Sequence, residues 1–209
     1  MKSTSWVGSV ILVALAATPA YAETKKKPVK AKAPSKDFWK ILVKPKAKWV
    51  LVRDNADKSS KERIEVETYD VRKVGDADVA RLRWTHYEPD GSKEDIGATD
   101  SGKPTQVAVT AAGMFLLNAE NDDAKVAERL KGKPSRSSPP KPYAGTTKNN
   151  GRYLAIDDAG NVCMGFAPTA DSERECEDTC EGEVCISETR GVVELSGTYA
   201  PSFEIYKAR

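Results

Sequence analysis

Residues 62–87 read ERIEVETYDVRKVGDADVARLRWTHY, and this stretch decides the fold. Ile64, Val66 and Thr68 alternate with charged residues, the period-two pattern of a strand with one buried and one wet face. Tyr69 and Val71 then carry the apolar pattern onto the opposite parity, which predicts a β-bulge or a strong bend. From Asp76 to Tyr87, Ala80, Leu82, Trp84 and His86 share one face, and Arg81, Arg83 and Thr85 share the other. Glu88-Pro-Asp-Gly91 is a turn signal, and a return strand around Lys93–Ala98 completes a hairpin.

The same reading extends both ways. Phe38 and Trp39 mark the start of the folded part near Asp37, and Trp49–Val52 is a short β-rich run. Thr105–Thr110 and Met114–Asn118 form a strand pair around Ala-Ala-Gly113. The period then changes. Asp122 or Asp123 caps a short helix carrying Val126, Ala127 and Leu130, which Gly132 and Pro134 end. Residues 131–151 form a long Pro/Ser/Gly/Lys segment, of the length that is either functional or disordered. Arg152–Asp157 and Asn161–Phe166 flank a hairpin turn, and strands around Val184–Glu188, Val192–Leu195 and Ser202–Tyr206 close the chain. About nine or ten strands with one helix predict a mainly β fold. The expected form is an antiparallel curved sheet or partly closed barrel, with one short helix and a disulfide-stapled C-terminal loop. Helices do not alternate with strands, so a parallel α/β fold is disfavoured.

The N-terminus reads as an export signal over residues 1–22. Lys2 gives the positive start, Trp6–Ala17 the apolar stretch, and Ala20-Tyr21-Ala22 the small-x-small cleavage site. The apolar stretch falls short of the roughly 20 residues a span needs. The expected location is therefore periplasmic or extracellular, with no transmembrane segment after cleavage. Residues 23–36 hold six lysines against Glu23 and almost no large apolar group, so they read as a flexible tether. A single β-rich domain follows over 37–209. The whole chain has 33 basic and 31 acidic side chains. With the tether set aside the rest is mildly acidic, and no general nucleic-acid-binding surface is implied.

The cysteines are Cys163, Cys176, Cys180 and Cys185. In an exported chain they favour two disulfides. Three pairings exist. The preferred one joins two strands through Cys163–Cys185 and closes the intervening loop through Cys176–Cys180. Zinc is the alternative, but the spacing lacks the paired C-x2-C knuckles of such sites. Residues 171–183 carry seven acids and one Arg. That loop is the one candidate for Ca²⁺, although the EF-hand pattern is absent both there and at Asp54-Asn-Ala-Asp57. A salt-sensitive clamp onto the basic 129–152 segment is a further reading. No other cofactor or metal site is expected.

His86 is the lone histidine. No Gly-x-Ser-x-Gly elbow, Walker loop or dinucleotide fingerprint accompanies it, so the triad logic lacks its other members. An enzyme is disfavoured, and a hydrolase is the least favoured class. The run Phe38–Leu117 resembles exported bacterial β-sheet domains of the lipoprotein-carrier or lipocalin-like kind. Its features are the aromatic start, a first strand at Trp49, long charged-alternating strands and the late Thr-Ala-Ala-Gly-Met-Phe pair. The resemblance implies a curved sheet whose concave face holds an apolar ligand. The leading expectation is a non-enzymatic binding module of the bacterial envelope. It presents Leu82, Trp84, His86 and Phe115 to an apolar small molecule or a segment of an envelope protein. The alternative is a structural or interaction protein with a solid core, working through its basic and acidic loops.

Overall fold

The computed structural model describes residues 33–53, 61–96, 105–118, 121–146, 151–166, 182–199 and 202–208. Among them are twelve strands, an α-helix and a 3-10 helix. The strands are β1 (Lys48–Arg53), β2 (Arg63–Val74), β3 (Ala77–Tyr87), β4 (Lys93–Asp95), β5 (Gln106–Thr110), β6 (Gly113–Leu117), β7 (Arg136–Ser137), β8 (Arg152–Ile156), β9 (Val162–Phe166), β10 (Gly182–Ser187), β11 (Gly191–Tyr199) and β12 (Ser202–Ala208). All pair antiparallel in one sheet ordered β7-β6-β5-β3-β2-β1-β12-β11-β10-β9-β8, with β4 on the far half of β3. The sheet curls into a half-barrel. The mainly β, antiparallel, curved architecture is the one the alternation demands.

The parity change in β2 is real, and its cause is visible. The β2–β3 register shifts between Tyr69 and Arg72, and Asp70 takes φ 50°. Ahead of the shift Ile64, Val66 and Thr68 face inward. Beyond it Val71 packs inward, while Val74 joins a second cluster on the outside of the sheet. An extra residue in one strand turns its faces over and sharpens the twist, which helps the sheet curl.

The inside of the curl is filled. Side chains from β1, β2, β3, β5, β6 and β8 to β12 converge there in one buried cluster. The 3-10 helix, Phe38–Val43, belongs to this cluster, and its Phe38, Trp39, Leu42 and Val43 are buried. Phe38 and Trp39 meet edge to face with centroids 5.0 Å apart, and Trp39 Nε1 donates to Ser137 O at 2.9 Å. The sequence places two aromatic residues at the start of the fold. The structure makes them part of a plug, a second short helix beyond the one expected. Chain contacts also begin ahead of Asp37: Pro34 is buried and Ser35 hydrogen-bonds the Glu188 carboxylate.

The α-helix α1 (Asp123–Leu130) covers part of the outer face. Asp122 caps it by accepting from Lys125 N at 2.9 Å, and Arg72 Nε reaches Asp123 at 2.8 Å. Its Val126 lies over Val74, Ala77, Val79, Ala108, Phe115 and Leu117. In the C-terminal half Cys163 and Cys185 face each other in register across β9 and β10 and are disulfide-bonded, as the preferred pairing has it. Cys176 and Cys180 lie outside the described residues, as do the signal at 1–22, most of the tether, Asp54–Asp57 and nearly all of the acidic loop.

Candidate functional site

The four residues singled out in the sequence do not share one face. Leu82 and Trp84 are 3% and 2% exposed and belong to the filled interior. Phe115, 2% exposed, points to the opposite side and packs under α1, with the Arg129 guanidinium 5.3 Å from its ring centre. His86 stands at the rim on the inner side, with its side chain 20% exposed.

Around His86 the strand ends bring together a polar group that the sequence did not reveal. Arg53 ends β1, Glu62 precedes β2, His86 lies near the end of β3, and Tyr206 in β12 pairs with Arg53 in register. Glu62 is buried, and its carboxylate receives Arg53 Nη1 at 3.2 and 3.3 Å. Tyr206 Oη donates to Glu62 Oε1 at 2.9 Å and lies 3.2 Å from His86 Nε2. His86 Nδ1 is 3.2 Å from Glu88 Oε1. A buried carboxylate is tolerable when paired and hydrogen-bonded, and here it is both. Among the described residues the imidazole nitrogens meet carboxylates and a phenol, with no serine or cysteine nucleophile. The arrangement closes this rim of the core with paired and hydrogen-bonded polar groups.

The outer face of β1 to β4 carries a polar groove of about 530 Å³, lined by Lys48, Glu65, Glu67, Arg83, Thr85 and Asp95 among others. Its charges answer one another within and across strands. Lys48 Nζ and Arg63 Nε reach Glu65 at 2.8 and 2.9 Å, and Thr85 Oγ1 donates to Asp95 at 3.2 Å. Burial would raise the Glu65 carboxyl, but hydrogen bonds from Lys48 and Arg63 outweigh it and hold the group below its ordinary value. Lys48 is correspondingly raised by its bond to Glu65. A second recess, of about 690 Å³, lies between the 3-10 helix and β2 and is lined by Ile41, Val43, Lys44, Val71, Asp78 and Glu188.

The basic segment, expected to be a functional or disordered loop, is tied to the sheet at Arg136–Ser137 and again at Tyr143. The first tie is β7, where Arg136 and Ser137 pair with Met114 and Gly113. Residue Tyr143 then forms an antiparallel bridge with Leu154 of β8, with N–O distances of 2.9 and 3.0 Å. One short segment therefore covers both ends of the sheet and makes the seam of the half-barrel. Open edges invite pairing with other chains, and this seam blunts them. The group Cys163, Glu183 and Cys185 clusters within 4.8 Å, but both cysteines are consumed by the disulfide and supply no thiolate for a metal. Glu183 instead accepts from Tyr153 Oη at 2.7 Å. The calcium reading and the acidic clamp fall on residues outside those described.

Comparison with known protein families, with curated proteins and with solved structures finds no match for this chain.

Proposed function

We propose that this chain is an exported, non-enzymatic binding module that makes its contacts on the outside of a solid β domain. The observation that supports this most is the plug: Phe38, Trp39, Leu42 and Val43 occupy the inside of the curl, where a carrier keeps room for its ligand. Leu82 and Trp84, the residues expected to meet an apolar ligand, are packed against that plug's surroundings. The disulfide accords with an oxidising compartment, periplasmic or extracellular. No described helix is long and apolar enough to cross a membrane. The partner class is an envelope component recognised by charge and shape rather than by an interior cavity.

The test is a titration of the folded, oxidised protein with a fluorescent fatty acid, read by probe emission and by tryptophan quenching. The surface-acting reading expects no saturable binding below about 10 μM. Stoichiometric binding in that range that is lost in Trp84→Ala, with the fold retained, would restore the interior-ligand reading.

A further inference from the structure

The seam holds a charge that the rest of the fold leaves unanswered. Arg136 lies opposite Met114 in register, so its side chain is on the core-facing side of the sheet, beside Tyr143. It is half-buried. Its Nη1 donates to Ser135 O at 2.8 Å, and its guanidinium carbon is 5.5 Å from the Tyr143 ring centre. Its Nε is fully buried with no hydrogen-bond partner. The contrast with Arg81 is informative. Arg81 Nε also lacks a hydrogen bond, but it lies 3.4 Å from the Asp70 carboxylate. Among the described residues no carboxylate pairs with Arg136 or with Arg152.

A second cation is close by. Arg152 opens β8 on the parity of Leu154, the core-facing side, and it is exposed. Burial lowers the Arg136 guanidinium from its ordinary value, proximity to Tyr143 opposes this, and repulsion from Arg152 adds to it. The surrounding sequence offers no relief, since no acid occurs between Glu128 and Asp157. Removing the Arg136 charge from water without a carboxylate partner is costly, and repulsion from the exposed Arg152 adds to that cost. An anion would answer this charge, because a guanidinium presents a planar fork that matches phosphate oxygens.

We infer that the seam between β7 and β8 is an anion-binding site, in which Arg136 and Arg152 grip a phosphate group beside the Tyr143 ring. The group belongs either to a free phosphate compound or to a lipid headgroup. This names a ligand class for the surface-acting reading and rests on it. Its failure would leave that reading to be decided separately by the fatty-acid titration.

The experiment is calorimetric titration of the full oxidised chain with inorganic phosphate at ionic strength fixed with chloride. Saturable binding is expected, weakened at least tenfold in both Arg152→Ala and Arg136→Met. Arg152 is exposed, and methionine replaces the Arg136 stem with an apolar chain of similar length, so both variants should keep the wild-type circular dichroism. Sedimentation with phosphatidylglycerol vesicles, against phosphatidylcholine controls, separates the sources. Vesicle binding that needs both arginines assigns the phosphate to a headgroup. Phosphate binding without sedimentation assigns it to a soluble compound. No saturable response to either probe, or equal binding in the wild type and both variants, overturns the site.

Discussion

Glycine 191 shows how closely single residues are specified. Its φ is +76°, and a Cβ placed there would lie 1.9 Å from Trp49 Nε1. Backbone conformation and the indole packed on it both exclude a side chain. Gly191→Ala should therefore lower stability by about 1–3 kcal/mol, read as a shift in the denaturant midpoint with an unchanged slope. An unchanged midpoint would mean that Trp49 moves aside freely. Glu65 allows a second test. Its carboxyl is lowered in the folded state, so the stability it adds is present above its ordinary unfolded value and is lost as pH falls through the folded one. Wild type should exceed Glu65→Gln by up to about 1 kcal/mol near pH 6, because its lysine partner is half exposed. The gap should close as acid is added below pH ~4.5. A gap that widens in acid would contradict the assignment. At this scale the sequence was readable where pattern is local. The parity change at Tyr69–Val71 announces the bulge because strand period is two. Phe115 was not readable. Gly-Met-Phe-Leu-Leu buries both faces, one in the plugged interior and one under α1, so no alternation tells which way each residue points.

Between elements, the strand pairs and the capped helix follow from alternation, turn residues and Asp122, and they form where those signals stand. The 3-10 plug carries no comparable signal. Six residues with no full period do not declare a helix, and only burial among strands far along the chain gives it form. The seam is equally hidden, since the Met114–Arg136 and Tyr143–Leu154 contacts are made by a Pro-, Ser- and Lys-rich segment with no strand alternation. The disulfide gives the prediction that belongs here. Cys163–Cys185 fixes the register of β9 on β10. Reducing it should cost about 2–4 kcal/mol. Amide protection should fall in β8 to β11 before it falls in β2 and β3. Equal loss across both halves would mean that the bond steadies the whole sheet at once.

For the whole molecule, one antiparallel sheet rolls around a plug and is seamed by a basic segment. One rim is sealed by the Arg53, Glu62, His86 and Tyr206 group. The rim group was only partly legible. His86 was visible as a lone histidine on an apolar face. Its partners Tyr206 and Glu62 come from β12 and from just ahead of β2, and they meet it only after the curl has formed. The Arg136 and Arg152 pair was visible as charge without acid, but not as a juxtaposition. The interior is filled, which leaves the surface and the seam for ligand contacts. Native mass spectrometry of the protein isolated from its own compartment tests this most directly. No fatty-acid adduct is expected, while a phosphate or phospholipid adduct that is absent in Arg136→Met fits the seam. A fatty-acid or lipid-tail adduct that survives in Arg136→Met and leaves only on unfolding would contradict it.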